Sequence, residues 1–277
     1  MANQEWSFVE TIPGNYERYL VPIVFQPYAV EMTERIIPMK PQAVLELACG
    51  TGVLTRQLRP RMPSGSRLVA SDISQGMLDI AQRVVPLDLI EWRCADALQL
   101  PFSDCEFDLV VCQFGWMFMP DKLAALREAR RVLRPGGQLI FSVWGALADN
   151  GFALAAQAVR RALLPNVPAN GAEIAPLSMS DPDQLSPLLA AAGFVEVSVE
   201  TVCLTVTSEA AADYAHGHVY GTPAAQVYAA HGIDAAQVKE ELTRKLAERG
   251  GSSPYSDRTT AHVVQATKIV PTVASGD

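Results

Sequence analysis

No run of apolar residues in this chain approaches the roughly 20 that a membrane-spanning helix needs, although 49% of the residues are hydrophobic. The amino-terminal stretch MANQEWSFVE also lacks the basic opening and the apolar segment of a secretory signal. We therefore expect a protein that acts in the cytoplasm and does not enter a membrane.

Basic residues are in the minority. Lys and Arg number 22 against 30 Asp and Glu, which gives a formal net charge of -8. A general nucleic-acid groove needs clustered Lys and Arg to neutralise phosphates. The most basic stretch, REARRVLR at 127–134, shares its helix with an apolar stripe, so we interpret it as a solvated helix face. We expect no nucleic-acid partner.

Cysteine is scarce, and nothing in its spacing indicates pairing. The 5 cysteines are odd in number and include no CxxC pair: Cys49, Cys94, Cys105, Cys112 and Cys203. Such a pattern is typical of reduced, mostly buried intracellular thiols. The sequence therefore predicts no metal site, although Cys49 lies within a glycine-rich turn.

What the sequence does contain, from about residue 40 onward, is a regular alternation of apolar strands and amphipathic helices. The strand candidates are 43–47, 67–72, 88–96, 107–114, 138–144, 195–207 and 261–270. Helices are expected from 53 and over 74–85, 121–133 and 180–194. Ser74 is placed to cap one helix, and Asp181 with Gln184 forms a capping box on another. The alternation implies right-handed crossovers and a doubly wound α/β sheet, covered on both faces.

Three segments fall outside this alternation. They are the aromatic-rich stretch 15–30, the segment 145–179, and a long excursion, 208–260, in which Val238, Leu242 and Leu246 share one helix face. We divide the chain into an N-terminal helical cap (1–39), a core (40–206 and 261–277) and an inserted helical lid (207–260). To cover a ligand, such segments must pack near the carboxyl edge of the sheet.

The stretch VLELACGTG (44–52) ends a strand in paired glycines, a turn that can serve NAD, FAD, ATP or S-adenosylmethionine. An ATP-binding P-loop needs a Lys after its second glycine, and none is present. A dinucleotide turn needs a third glycine where this chain has Thr55. Asp72 closes the next strand, as a ribose ligand should, but NAD and S-adenosylmethionine both carry an adenosine ribose. Asp72 therefore indicates a nucleoside without naming it.

Two further acids favour one of these ligands. Glu46 lies within the turn motif, where it suits a ligand whose tail carries an ammonium group better than a pyrophosphate. Asp96 ends a third strand, where its carboxylate and the Ala97 amide are placed to read the edge of an adenine. Acids at three consecutive strand ends fit a cationic sulfonium amino acid, which favours S-adenosylmethionine.

A set of motifs now supports a family resemblance. ELACGTG, SDIS with Met77, CADALQLPF, FDLVVCQFGWMFMPD and LREARRVLRPGGQLIFSVW together resemble the motifs of class I S-adenosylmethionine-dependent methyltransferases, the broad type that includes ubiquinone and menaquinone methyltransferases. The resemblance covers about residues 40–206 and the strand at 261–270. It implies a Rossmann-like, seven-stranded sheet, mostly parallel with an antiparallel last strand. It also implies S-adenosylmethionine as cofactor and S-adenosylhomocysteine as product.

The resemblance also implies a set of cofactor-binding residues: Tyr16, Glu46, Ala48, Cys49, Gly50, Gly52, Asp72, Ile73, Met77, Asp96, Ala97 and Gln113. The turn residues would approach the methionine portion through their backbone, Asp72 would hold the ribose, and Ile73 and Met77 would flank the adenine. Gln113 would place its backbone carbonyl near the cofactor amine. Ala48 stands where many relatives have Gly, and we expect a φ below zero there.

The acceptor side of the site is less clearly marked. Trp116, Phe118 and Trp144 follow or end predicted strands and are candidates for an apolar acceptor pocket, with packing under the lid as the alternative. His216 and His218, in YAHGHVYG, are candidates for a general base or a substrate contact, or else ordinary loop histidines. Tyr19 is a third candidate catalytic residue, which would contact the acceptor, with core packing as the alternative.

The sequence thus predicts an enzyme that methylates an O, N or C nucleophile of an apolar or aromatic small molecule by in-line displacement. Three alternatives stay open: a quinone-type C-methyltransferase, a non-catalytic S-adenosylmethionine-binding protein and a nicotinamide oxidoreductase, against which Thr55 argues. The acceptor atom and the oligomeric state cannot be read from the residues.

Overall fold

The computed structural model describes residues 11–85, 88–168 and 175–270. Within these ranges one 7-stranded sheet has the order β3-β2-β1-β4-β5-β7-β6. Its strands are β1 Ala43–Leu47, β2 Arg67–Asp72, β3 Ile90–Cys94, β4 Phe107–Gln113, β5 Leu133–Trp144, β6 Phe194–Ser208 and β7 Tyr255–Lys268. Neighbours from β3 to β5 pair in parallel, whereas β7 runs antiparallel to both β5 and β6. The predicted seven-stranded, mostly parallel sheet is confirmed.

Two strands begin earlier than predicted. β5 already starts at Leu133, which pairs with Phe107 before a register shift that takes in the RPGG stretch, where Gly136 has φ 77°. β7 starts at Tyr255 and pairs with β6 as far back as Ser208. The segment between the two strands therefore runs from 209 to 254, within the predicted lid 207–260. The start of β7 was missed because the stretch YSDRTT is polar. Its buried positions hold Tyr and Thr, where buried strands usually have aliphatic residues.

Helices cover both faces of the sheet. The α-helices are α1 Thr11–Asn15, α2 Gln26–Ile36, α3 Val53–Leu58, α4 Gln75–Val84, α5 Lys122–Val132, α6 Gly151–Leu163, α7 Leu185–Ala191, α8 Ala211–Tyr220, α9 Ala224–Ala229 and α10 Ala235–Gly250. The predicted cap Ser74 accepts a hydrogen bond from the Met77 amide at 3.3 Å. Asp181 caps a short 3-10 turn ahead of α7, but the Gln184 side chain donates to the Asp181 carboxylate instead of accepting from the Asp181 backbone N–H, so the capping box was wrong.

The N-terminal segment is one continuous helical stretch whose middle, Tyr16–Phe25, is a π-helix. Pro22 lies inside it and has no N–H to donate to the carbonyl of Arg18. The wider π turn is compatible with that missing bond, and at its end the Gln26 amide donates to the Val21 carbonyl. π-Helical turns are rare, and those inserted in α-helices are frequently found at functional sites.

The excursion between β6 and β7 forms α8, α9 and α10. As predicted, α10 buries Val238, Leu242 and Leu246 and ends at Gly250. α8 packs directly on the π-helix, because two glycines spaced one helical turn apart leave room. A Cβ on Gly217 would lie 2.8 Å from the Tyr19 Cβ, and one on Gly221 would lie 2.7 Å from the Tyr16 amide nitrogen. The N-terminal segment and the lid helix are thus in close backbone contact.

Apolar side chains form a core on each face of the sheet. On one face, Val44, Leu109, Val111 and Ile140 pack with α2, α3 and the π-helix. The other face carries the larger core, which takes in α5, α6 and the lid helices. No helix within the described ranges has both the length and the apolarity that crossing a membrane requires. The division into cap, core and lid stays a prediction.

The close contact between α8 and the π-helix predicts different responses from two glycines. Gly221→Ala should destabilise the protein by about 1–3 kcal/mol, because its Cβ would meet the backbone of the π-helix. Gly76→Ala, in α4, should be neutral or stabilising by up to about 1 kcal/mol, since its nearest neighbours are 3.8 and 3.9 Å away. Urea unfolding of both variants measures this, and equal destabilisation would contradict the contact.

Candidate functional site

The turn after β1 lies at the carboxyl edge of the sheet and has left-handed backbone at alternate residues. Ala48, Gly50 and Gly52 have φ values of 50°, 55° and 80°. The expected negative φ at Ala48 was wrong, because the chain turns out of β1 directly there. The Ala48 side chain is tolerated since Gly115 faces it, and a Cβ on Gly115 would lie 2.4 Å from that of Ala48. The absence of a side chain at Gly115 therefore allows an alanine at position 48, although the positive φ there favours glycine.

Asp72, the last residue of β2, holds this turn in place. Its Oδ2 accepts from the Gly50 amide at 2.8 Å, and its Oδ1 accepts from the Ser74 amide at 2.8 Å. Burial raises the pKa of the carboxyl, although both hydrogen bonds oppose the shift. A carboxylate offers about four acceptor positions, so two remain for the hydroxyls of a ribose.

Glu46 is a second buried carboxyl, in β1. Its Oε2 accepts from the Thr55 hydroxyl at 2.6 Å, and burial, together with nearby Asp72, raises its pKa to about 8. Among the residues that the structure describes, no Lys, Arg or His lies within salt-bridge distance of it. Thr55 fills the place of a third glycine and gives Glu46 a side-chain partner, a role that the sequence did not reveal.

Cys49 contributes to the turn through its backbone. Its amide donates to the Ser71 carbonyl, and its carbonyl accepts from the Gly52 amide, both at 2.9 Å. Burial and the nearby carboxyls Glu46 and Asp72 raise the pKa of the thiol well above its usual value, so the sulfur is an unreactive thiol. Gly50 faces open space, whereas Gly52 packs on α4 and β3.

The residues expected around an adenine lie on the surface beside β2 and β3. Ile73 is 69% exposed, an unusual position for an aliphatic side chain, while Met77 beneath it on α4 is buried. Asp96 is exposed and accepts from the Leu98 amide at 2.9 Å, and Ala97 is half-buried. The exposed apolar face of Ile73 and the edge of Asp96 and Ala97 are available to a planar base.

The N-terminal π-helix reaches this edge through Glu17, a residue that no sequence motif indicates. Its carboxylate accepts from the Thr51 hydroxyl at 2.5 Å and from Arg56 at 2.6 Å, joining the helix to the turn and to α3. Burial raises the pKa of the Tyr16 hydroxyl, and the carboxylates of Glu17 and Asp72 add to this shift. The π-helix therefore borders the region where the turn and Asp72 meet.

Gln113 ends β4 beside the same helix. Its side-chain Nε2 donates to the Phe25 carbonyl at 2.7 Å, a contact that the sequence did not predict. The proposed role of its backbone carbonyl toward a cofactor amine stays a prediction.

Aromatic rings gather at the ends of β4 and β5. Phe114, with φ 53°, stacks on Trp144 at a centroid distance of 3.8 Å and an interplanar angle of 14°. Phe25 lies 5.8 Å from Phe114, and Tyr28 lies 5.6 Å from Trp144. We call Phe25, Tyr28, Phe114 and Trp144 the aromatic cluster.

The structure does not bring the three predicted pocket residues together. Trp144 belongs to the aromatic cluster, whereas Trp116 is fully buried with its ring 5.0 Å from Phe141, and Phe118 is 46% exposed. The short 3-10 turn Trp116–Phe118 sends successive side chains in different directions. The role of each in binding an acceptor stays a prediction.

His216 and His218 lie on the helix α8 and not in a loop, which corrects the expectation. His216 Nε2 is 3.2 Å from the Asn15 Oδ1, and its ring is 4.4 Å from that of Tyr19. Burial lowers the pKa of His218 to about 4, so this ring is neutral at pH 7. The ring of His218 is 6.2 Å from that of Tyr214. Tyr214 in turn contacts the ring of Phe152, and Phe152 contacts that of Trp144. These contacts join the lid to the N-terminal segment, and the catalytic role of the three residues stays a prediction.

Comparison with known proteins decides the family. A family profile described as "Methyltransferase domain" matches residues 45–141. A demethylmenaquinone methyltransferase from Clavibacter sepedonicus is 34% identical over 182 residues, which cover 62% of this chain and 73% of that protein. The chain belongs to the class I S-adenosylmethionine-dependent methyltransferases.

Two further relatives of this methyltransferase show how far the likeness extends. A demethylmenaquinone methyltransferase from Corynebacterium urealyticum is 42% identical over 123 residues, and the chain spans only 50% of its length. Phosphoethanolamine N-methyltransferase 2 of Haemonchus contortus, solved with phosphomonomethylethanolamine and S-adenosylhomocysteine, has a TM-score of 0.60 at 16% identity over 94% of this chain and 58% of that chain. At that identity the likeness concerns the fold alone.

The cofactor of this methyltransferase is S-adenosylmethionine. The geometry fits that cofactor. Asp72 keeps free acceptor positions for ribose hydroxyls, and the buried carboxyl of Glu46 lacks a cation that an ammonium group supplies. Gly50 leaves open space at the turn, and Ile73 offers an exposed apolar face. The individual contacts that we assign to these residues stay predictions.

The raised pKa of Glu46 predicts a pH-dependent cost to stability. Because the pKa is about 8 in the folded protein and 4.5 for a glutamate in its ordinary, solvated state, the protonated form favours folding, and stability is lost as pH rises from 4.5 through 8. Glu46→Gln removes this loss. The variant should gain stability over the natural protein between pH 5 and pH 8.5, by at most on the order of 4 kcal/mol.

Thermal unfolding at several pH values measures the gain, in the absence of cofactor. A difference between the two proteins that stays constant from pH 5 to pH 8.5 would show that Glu46 does not titrate as inferred. Asp104→Asn, which changes an exposed carboxyl, serves as the control for a change of charge alone.

Substitution of Asp72 should weaken cofactor binding, whereas substitution of a nearby surface acid should not. Asp72→Asn replaces an acceptor of two backbone hydrogen bonds and of the ribose hydroxyls, so we expect S-adenosylmethionine to bind at least about tenfold more weakly. Asp79→Asn changes an exposed carboxyl on α4 that bonds Gln75. Titration calorimetry should show that Asp79→Asn binds S-adenosylmethionine with an unchanged dissociation constant. Equal affinity for all three proteins would refute the role of Asp72.

Proposed function

We propose that this methyltransferase transfers the methyl group to a ring carbon of a hydroxylated aromatic molecule of the quinol type. The observation that carries the proposal is the stack of Phe114 on Trp144 at the carboxyl ends of β4 and β5. Open α/β sheets bind their ligands at that edge. A flat, apolar acceptor is the class of molecule that stacked rings favour.

The backbone at Phe114 supports a functional role for this stack. A bulky residue with φ 53° is strained, at a cost of about 1–3 kcal/mol. Such strain persists where surrounding contacts enforce it and is concentrated at active sites. Here the cluster holds Phe114 between Trp144, Phe25 and Tyr28.

The relatives support the same class of acceptor. Both bacterial relatives described above are named demethylmenaquinone methyltransferases. Because the chain spans only part of their length, their name supports the proposal without deciding the acceptor. An aromatic acceptor agrees with both the name and the cluster.

The reaction requires orientation more than reactive groups. When bound, S-adenosylmethionine supplies a methyl group on a sulfonium centre. The transfer forms a bond from a ring carbon to the methyl carbon, breaks the carbon–sulfur bond and releases the ring proton. In this chain, the aromatic cluster orients the ring, the π-helix over the turn excludes water, and Glu46 and Asp72 hold the cofactor.

Candidates for the proton acceptor remain those of the lid and cap. His218 is neutral at pH 7, but its pKa of about 4 makes it a weaker base than an ordinary histidine. His216 and Tyr19 contact each other at the cap. We retain all three as proposals, together with a cytoplasmic setting and the absence of a nucleic-acid partner.

The proposal predicts which acceptors are methylated. Incubation with S-adenosylmethionine and a panel of naphthoquinols, catechols, alkyl amines and short carboxylic acids should give methylated product with the aromatic diols alone. Mass spectrometry and fragmentation should locate the methyl group on a ring carbon. Phe114→Leu, which removes the stacked ring, should lower kcat/KM by at least about tenfold.

The same assay separates the alternatives. Methyl transfer to an oxygen or nitrogen atom would contradict the ring-carbon proposal while leaving a methyltransferase. Cofactor binding with no product on any acceptor would identify a binding protein. Leu163→Ala, at a partly buried core position at the opposite end of α6 from Phe152, which contacts Trp144, controls for a general loss of stability.

A further inference from the structure

Two polar side-chain atoms are buried beside the aromatic cluster without a protein partner. They are the Oε1 of Gln113 and the Oγ of Ser142, and neither has a hydrogen-bond partner among the residues that the structure describes. Gln113 is 9% exposed and Ser142 is fully buried. Buried polar atoms are nearly always hydrogen-bonded, so a pair of unpartnered ones indicates a partner other than the protein itself.

The two residues are direct neighbours in the sheet. Gln113 of β4 is aligned with Ser142 of β5. Residues on adjacent strands at aligned positions point to the same face and lie about 5 Å apart. Gln113 continues the row of Leu109 and Val111, and Ser142 follows Ile140, on the face that the N-terminal helices cover. The two unpartnered atoms therefore belong to one small polar patch in an otherwise apolar layer.

The orientation of the Gln113 amide is fixed. Its Nε2 lies 2.7 Å from the Phe25 carbonyl, which can only accept a hydrogen bond. The nitrogen must therefore face Phe25, and the oxygen is left as an acceptor. The same bond holds the end of the π-helix over the patch, next to the ring of Phe25 in the aromatic cluster.

The chemistry of the patch selects its ligand. Gln113 Oε1 needs a donor, and the Ser142 hydroxyl can donate to an acceptor. A neutral hydroxyl group does both at once. A carboxylate cannot donate to Gln113, and an ammonium group cannot accept from Ser142 and would be buried here without an anion.

We propose that Gln113 and Ser142 form a subsite that binds a hydroxyl group of the acceptor. This inference rests on the proposed function, in which the acceptor is a hydroxylated ring. The Gln113 amide bonds the backbone of Phe25, whose ring lies 5.8 Å from Phe114 and 6.0 Å from Trp144, so the patch borders the aromatic cluster that orients the acceptor ring. The subsite selects a hydroxylated ring and fixes the ring position that is presented for methylation.

Binding of two matched probes tests the subsite. In the presence of S-adenosylhomocysteine and under reducing conditions, calorimetry should show 1,4-dihydroxynaphthalene binding at least tenfold more tightly than 1,4-dimethoxynaphthalene, whose oxygens carry no proton. Ser142→Ala should weaken binding of the diol at least tenfold and leave the dimethoxy probe unchanged. Gln113→Leu should also weaken binding of the diol at least tenfold. The affinity for S-adenosylhomocysteine should not change in Ser142→Ala.

Thermal unfolding provides the matched structural control. Ser71 is also a buried strand serine, but its hydroxyl donates to the Glu46 carbonyl at 2.9 Å. Ser71→Ala should lower Tm, whereas Ser142→Ala should leave Tm unchanged or raise it, because no protein bond is lost. A drop in Tm for Ser142→Ala as large as that for Ser71→Ala would overturn the proposal.

The remaining outcomes are also decisive. Unchanged binding of the diol to Ser142→Ala, or no binding to the natural protein, would overturn the subsite and leave the patch to a buried water molecule. Equal weakening of both probes would show a loss of shape and not of a hydroxyl contact, which also overturns it. Selective binding of the diol without methylation of any aromatic acceptor would support the subsite but contradict the proposed function.

Discussion

Glu46 and Asp72 are carboxyls buried at adjacent strands, and within the described part of the chain neither has a cation at salt-bridge distance. Burying such groups is costly unless hydrogen bonds or an opposite charge compensate. Thr55, Gly50 and Ser74 donate hydrogen bonds that offset part of this cost. We propose that the cationic cofactor offsets more of this cost, so that the two carboxyls destabilise the free protein and stabilise the cofactor-bound protein. The turn, the strand ends and the helices above them are arranged around this pair.

The N-terminal helical segment that borders these two carboxyls also reaches the aromatic cluster. Glu17 ties the π-helix to Thr51 and Arg56 below it, and Gln113 ties the end of the same helix to β4. Above, Gly217 and Gly221 let the lid helix pack against that segment. A single helical segment thus borders the cofactor region at its start and the aromatic cluster at its end.

Most of the sheet could be predicted from the sequence, because buried parallel strands leave short apolar runs and helix starts carry capping residues such as Ser74. The start of β7 was missed because its buried positions hold Tyr and Thr. Asp72 and Glu46 could be singled out since acids at strand ends stand out in an apolar pattern. The predicted φ of Ala48 was wrong because Gly115, which makes room for the Ala48 side chain, is distant in sequence. The contacts of Glu17 and the pairing of Gln113 with Ser142 could not be predicted, because they join residues that are far apart in the sequence.

The most direct test of this account is the proton balance of cofactor binding. Titration calorimetry with S-adenosylmethionine at pH 7, repeated in buffers of different ionisation enthalpy, counts the protons exchanged. Because Glu46 is mostly protonated in the free protein, with a pKa of about 8, binding of a cation beside it should release a proton. The account predicts proton release by the natural protein and its loss in Glu46→Gln. Binding without proton release, or equal release by the variant, would contradict it.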